Sequence, residues 1–166
     1  MREMSFFSEG ARIAAHLYPA LPPDGRPSPG VVLCHGFTGI KEWLLPPFAN
    51  AFARAGITSL TFDYRRFGRS EGERGKLVPA DQVDDIRNAV TFLSGLPGVD
   101  PARIGLWGTS FGGGNVLQVR INSSNQLERI PGTLPPHRLA VHPTPGEFVA
   151  VTWKSPVTGG MRIGGR

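Results

Sequence analysis

A single cysteine, Cys34, stands among the 166 residues, so the chain can close no internal disulfide and offers no cysteine pair for a structural zinc. That excludes a small disulfide-stapled scaffold and makes a reducing cytoplasm the expected compartment. Long apolar runs are missing as well. The opening stretch MREMSFFSEGARIAAHLYPA contains no continuous apolar segment of signal-peptide length, and nothing later approaches the roughly 18 residues of a membrane span. A soluble protein without a membrane partner is expected. Neither G-x-x-x-x-G-K-[ST] nor G-x-G-x-x-G occurs, which removes the phosphate-cradling loops of nucleotide-dependent enzymes.

The formal charge of +5 raises the question of a nucleic-acid partner, so its distribution matters. Residues 1–119 hold 12 Lys and Arg against 11 Asp and Glu, a net of +1, while residues 120–166 hold 6 against 2, a net of +4. The excess lies in the last third, as isolated residues with no dense basic run and no nucleic-acid module. No nucleic-acid partner is expected.

What the sequence does contain is an alternation of short apolar runs with amphipathic ones. Met4–Phe7 and Arg12–Tyr18 read as a hairpin around the turn signal Ser8, Glu9, Gly10. The proline-rich stretch LPPDGRPSPG is a loop, and Gly30–Cys34 is a continuous apolar run of the kind buried on both faces of a sheet. From Phe48 onward, Ala51, Phe52 and Ala55 recur at helical spacing before Gly56. A strand over Ile57–Tyr64 follows, then the glycine-rich loop RRFGRSEGERG. Val83, Ile86, Val90 and Leu93, with Ala89 beside them, form the stripe of a second helix that starts near Asp81 and ends at Gly95 and Pro97. Arg103–Trp107 is a third short strand, and Asn115–Ile121 is compatible with a further helix. This order predicts an α/β fold, a mostly parallel sheet with helices on both faces.

Gly108, Thr109, Ser110, Phe111 and Gly112 form G-x-S-x-G directly between a predicted strand and a predicted helix, the context in which that pattern makes a nucleophile elbow. A serine on so sharp a turn needs a strained backbone, and close helix–strand approach leaves room only for glycine on either side. Ser110 is the expected nucleophile. The N–H of Phe111, at the start of the helix, is one expected oxyanion donor, and the N–H of Phe37, in the HGF turn after the Gly30–Cys34 strand, is the other. His35 reads as a turn residue bonded to local backbone, not as the catalytic base. Asp63 and Arg65 read as charges that brace a loop.

Four segments, VVLCHGF (31–37), FDYRRFGRSEG (62–72), DDIRNAVTFLSGLPGVDPARIGLWG (84–108) and GTSFGGG (108–114), resemble the α/β-hydrolase superfamily, in particular its dienelactone-hydrolase-like and Xaa-Pro-peptidase-like serine hydrolases. The resemblance spans roughly residues 5–119. It implies hydrolysis of a carboxylic ester, thioester or amide of a small-molecule acyl substrate through an acyl-enzyme on Ser110, with no cofactor and no metal. It also implies that the loop from Asp63 to Gly72 helps to form the substrate pocket.

The chain departs from that family after the elbow. A hydrolase triad runs serine, acid, histidine along the chain, yet the only acids after Ser110 are Glu128 and Glu147 and the only histidines His137 and His142. Glu128 and His137 stand in the right order but too close together for the intervening strand and helix units. Residues 1–119 are therefore expected to be the N-terminal part of a hydrolase domain, truncated after the elbow. Residues 120–166 are expected to be an irregular basic tail, disordered or frame-shifted, in which only Phe148–Trp153 has strand character. Coding DNA with an alternative frame restoring a hydrolase second half would establish the frame shift, and its absence would dismiss it. Two functional readings stay open: a serine hydrolase, or an inactive hydrolase fragment or interaction module lacking the acid and histidine. A missing neighbour for the Arg103–Trp107 strand would leave an open sheet edge, and self-association is expected from it.

Overall fold

A computed structural model describes residues 1–21 and 25–118, together with the backbone of residues 128–129 and 133–134. The chain forms two compact units, Met1–Val116 and Leu117–Arg166. In the first, strands β1 (Arg2–Ser8) and β2 (Ala11–Tyr18) are followed by β3 (Ser28–Cys34), helix α1 (Leu45–Arg54), β4 (Thr58–Phe62), α2 (Pro79–Ser94) and β5 (Val99–Gly108), and α3 (Phe111–Gln118) begins there.

The sheet is mixed, with order β1-β2-β4-β3-β5. β4, β3 and β5 are mutually parallel, while β1 and β2 form the expected hairpin and join β4 antiparallel. Every residue of β4, at the centre, is buried, as a strand covered on both faces requires. Because successive side chains of a strand point to opposite faces, the sheet feeds two cores. On one face Tyr18, Val31 and Leu33 pack with Leu45, Ala49 and Ala53 of α1, flanked by Ile57, Phe52 and Trp107. On the other, Phe6 stacks on Phe92 of α2 at 5.2 Å between ring centroids and meets Phe62 edge-on at 6.0 Å. Each fully buried Leu, Val, Ile or Phe contributes about 1.5–3 kcal/mol relative to exposure, and helices cover both faces as the sequence predicts.

Two boundaries differ from the sequence pattern for identifiable reasons. α1 starts at Leu45, not Phe48, because Pro46 and Pro47 occupy its first turn, where proline's missing N–H has no intrahelical partner to lose. Its buried stripe is consequently Leu45, Ala49 and Ala53, and Ala51 and Ala55 face solvent. α3 starts at Phe111, directly after Ser110, as the elbow pattern predicts. β5 extends back to Val99 through Pro101, which a strand tolerates at a sheet edge. Among the described residues β5 pairs only with β3.

In the second unit, β6 (Glu128–Arg129) and β7 (Thr133–Leu134) pair antiparallel. The expectation that Phe148–Trp153 is the only strand of residues 120–166 is thereby corrected: the intervening Ile130, Pro131, Gly132 has hairpin-loop composition. Phe148–Trp153 itself lies outside the described residues, as do residues 119–121 of the predicted helix, His137, His142 and Glu147. Among the described residues no helix is long and apolar enough to cross a membrane.

Candidate active site

The carboxyl ends of β3 and β5 lie side by side, Cys34 opposite Gly108, with the Thr109 N–H donating to the Cys34 carbonyl at 3.2 Å. From that shared edge the two chains turn in different ways. After β5 the backbone reverses at Ser110, whose φ is +53°, a left-handed conformation that costs a non-glycine residue about 1–3 kcal/mol. Ser110 is exposed. The turn is closed by Gly112 N–H to Thr109 O at 2.9 Å and Gly114 N–H to Ser110 O at 3.2 Å, and α3 runs from it.

Two glycines make this turn sterically feasible. A Cβ on Gly108 would lie 2.6 Å from the backbone of Gly112, and one on Gly112 would overlap the carbonyl oxygens of His35 and Cys34. The elbow thus rests directly on the end of β3, as its sequence pattern predicts.

After β3 the chain forms the HGF turn. His35 is buried, and its Nδ1–H donates to the Gly36 carbonyl at 2.9 Å. Its Nε2 has no partner among the described residues, and its ring meets Tyr64 edge-on at 4.6 Å. Burial holds its pKa below the ordinary histidine value, so at neutral pH the ring is neutral and committed to the turn. The reading of His35 as a local turn residue agrees with this geometry. Gly36 brings the turn against the elbow: a Cβ there would lie 3.2 Å from the Ser110 Cβ and 3.7 Å from its Oγ. Thr38, two residues on, is also left-handed, with φ +51°, a genuine outlier for a β-branched residue.

Phe37 and Phe111 flank Ser110 from the two turns, their rings perpendicular at 6.0 Å. Neither backbone N–H has an acceptor among the described residues, and none makes a hydrogen bond to Ser110 Oγ. Two unengaged amides beside an exposed hydroxyl on a strained turn can receive negative charge that develops on an attacked carbonyl.

The loop after β4 buttresses this edge. Asp63, fully buried, accepts from Lys41 N–H and Lys41 Nζ at 2.7 Å each and from Arg69 N–H at 2.9 Å. Lys41 Nζ also pairs with Glu42 at 2.8 Å. Arg65 gives its N–H and Nε to Asp85 at 2.8 and 2.7 Å, and Ser8 Oγ adds a third bond to that carboxylate at 2.6 Å. Burial raises the Asp85 pKa and outweighs these donors. Asp63 and Arg65 brace loops, as expected, but their partners Lys41 and Asp85 carry no local sequence signal. Cys34 is sealed beneath the elbow, its thiol pushed up to about 12 by burial, which leaves it unreactive. A groove among Arg2, Ser28, Pro97 and Arg103 lies at the opposite, amino end of β3 and β5.

Comparison with known proteins places this geometry in a family. The chain matches the family described as serine aminopeptidase, S33, over residues 25–163, a span that extends beyond the residue 119 limit of the motifs. It is 54% identical over 99 residues to an uncharacterized 31.7 kDa protein of the traX-finO intergenic region of Escherichia coli, covering 59% of this chain and 35% of that protein. It is 37% identical over 123 residues to the quorum-quenching protein AidA of Acinetobacter baumannii, covering 74% of this chain and 40% of that one. Among solved structures, the α/β hydrolase GrgF from Penicillium sp. sh18 superposes with a TM-score of 0.67 at 27% identity, over 75% of this chain and 48% of its own. The chain thus spans between about a third and a half of the length of these relatives. A strained serine turn leaning on the end of a neighbouring parallel strand, in a chain so matched, belongs to the serine aminopeptidase S33 family of the α/β-hydrolase fold.

Proposed function

We propose that the protein is a serine hydrolase that cleaves a carboxylic ester, thioester or amide through an acyl-enzyme on Ser110. The observation that carries this reading is the left-handed φ of Ser110 at an exposed turn whose neighbours present the unengaged N–H groups of Phe37 and Phe111. Ser110 Oγ attacks the acyl carbon, its proton passes to a base, and the tetrahedral oxyanion is held by the two amides. Collapse expels the alcohol, thiol or amine, and water then releases the acid and frees Ser110. Family membership supports the same chemistry, and no cofactor or metal enters it.

A second reading, an inactive hydrolase fragment or interaction module, is favoured by one specific observation: His35, the described histidine in the turn beside Ser110, is bonded to Gly36 O and turned against Tyr64. A fluorophosphonate probe separates the two. Covalent labelling mapped to Ser110, and lost in Ser110→Ala, is the result expected of the hydrolase. A folded sample with no label on Ser110 would support the fragment.

A further inference from the structure

The HGF turn carries strain that its own residues do not account for. Thr38 is held at φ +51°, and a backbone in that region persists only where its surroundings over-determine it. Upstream, the turn is fixed by β3 and by two bonds to Gly36 O, from His35 Nδ1–H at 2.9 Å and Gly39 N–H at 3.1 Å. Those bonds lie within the turn and cannot anchor its far end. That end reaches the body of the protein at Lys41, whose backbone N–H donates to Asp63 Oδ1 and whose ammonium donates to Asp63 Oδ2, both at 2.7 Å.

Both side chains are essentially removed from solvent, Lys41 at 1% and Asp63 at 0% exposure. A buried ion pair is poor evidence of net stabilisation, since apolar replacements often serve as well. This pair does something an apolar pair could not. Its carboxylate takes donors from two loops at once, Lys41 from the loop after β3 and the Arg69 N–H from the loop after β4. Gly68, at φ +50°, passes so close that a Cβ would overlap the carboxylate, which leaves Asp63 no room to swing away. The carboxylate is a fixed point, and Phe37 lies on the segment stretched between it and β3.

We propose that Asp63 and Lys41 are positioning residues that hold the Phe37 N–H against Ser110, so that the oxyanion donor of the proposed serine hydrolase is set by a clamp from outside the turn. The clamp acts through backbone placement, and neither residue touches substrate. The inference rests on the hydrolase reading for its catalytic consequence, but not for its structural one.

The test uses the full 166-residue chain as wild type, Asp63→Asn, Lys41→Met and Lys41→Arg, with two readouts. Amide hydrogen exchange of Gly39 and Lys41 reports the turn, with Val32 and Leu60 reporting the sheet, and the rate of fluorophosphonate labelling reports the oxyanion site. In Asp63→Asn and Lys41→Met the account expects about tenfold or greater loss of protection at Gly39 and Lys41 with the sheet amides unchanged, and labelling slowed by about tenfold or more, toward the loss of one oxyanion donor. Lys41→Arg, which keeps the side-chain charge and donor that Lys41→Met loses, should recover most of both. If either variant loses protection throughout the sheet, the other decides, and Lys41→Arg decides if both do, by showing turn protection and labelling reduced together or neither. Unchanged exchange at Gly39 and Lys41 overturns the clamp, and faster exchange with an unchanged labelling rate overturns its positioning role. A wild-type chain that exchanges as expected but takes no label on Ser110 defeats the hydrolase reading, and with it the positioning role, while leaving the clamp supported.

Discussion

Gly36 and Ser110, 74 positions apart in the chain, are so close that a Cβ on the glycine would stand 3.2 Å from the Cβ of the serine. This contact joins the HGF turn to the elbow. No left-handed φ is required at Gly36, so alanine there meets only the crowding. Gly36→Ala is expected to cost about 1 kcal/mol of stability, the low end for overpacking, yet to slow fluorophosphonate labelling of Ser110 at least about tenfold by narrowing the approach to Oγ. Urea melts and labelling rates on the same preparation check both halves.

Gly112 and Gly114 give opposite results for the same substitution. Alanine at 112 would overlap backbone oxygens of Cys34 and His35, which cannot move without displacing the end of β3. Gly112→Ala should cost about 3 kcal/mol, the upper end of overpacking. Gly114, on the same helix, has open space where a Cβ would stand, with nothing within 4 Å, and Gly114→Ala should stabilise by up to about 1 kcal/mol through helix propensity. Denaturant midpoints that move in the same direction for both would contradict the packing described.

Two ion pairs differ in their surroundings and should differ in worth. Asp85 is fully buried and holds Ser8 and Arg65, whereas Glu3 and Arg69 pair at 3.3 Å with both side chains largely exposed. Asp85→Ala, which takes the carboxylate away from the half-buried Arg65, should destabilise by about 3–5 kcal/mol, and Glu3→Ala by less than about 1 kcal/mol. Equilibrium unfolding of the two variants decides.

His35 predicts the acid limb of stability. Its folded pKa is lowered by burial, so below the unfolded value of 6.5 the unfolded chain binds the extra proton first. Stability is therefore complete above pH 6.5 and is lost as pH falls from there toward the folded pKa, at up to about 1.4 kcal/mol per pH unit for this one group. Urea melts between pH 7.5 and 5 should show that loss reduced in His35→Asn, whose amide can still donate to Gly36 O.

The elbow is legible in the sequence because its physics is local: small residues on both sides of a serine, a strand before and a helix after. The clamp is not. Lys41 reads in sequence as an ordinary solvated lysine, and only its pairing with Asp63, 22 residues away, buries it. Asp85 is equally silent, since it sits one position before the apolar Ile86 of α2 and looks like a polar-face residue. The start of α1 is hidden because Pro46 and Pro47 read as breakers when they are the helix's first turn. Residues 120–166 carry no sustained periodic signal, and the β6–β7 pair is too short to produce one.

Turnover bears on the identity of the base. The histidines after Ser110 in the sequence are His137 and His142, and Ser110-dependent hydrolysis of p-nitrophenyl acetate should be lost in His137→Ala or His142→Ala, by up to the roughly million-fold cost of removing a catalytic histidine. Turnover that survives both replacements but not Ser110→Ala would exclude both histidines as the base.

The edge of β5 predicts behaviour in solution. Its unpaired side, among the described residues, offers a row of backbone donors and acceptors to another strand. The purified chain should elute above monomer mass by light scattering. A monomer would contradict this.

The central claim is that Ser110, Phe37 and Phe111 form one reaction centre, and a crystal structure of the fluorophosphonate adduct tests it most directly. The account predicts phosphorus on Ser110 Oγ with its phosphoryl oxygen about 2.7–3.1 Å from the N–H nitrogens of both Phe37 and Phe111. An adduct whose phosphoryl oxygen points to solvent, or is bound by other donors while the Phe37 amide stays empty, would contradict it.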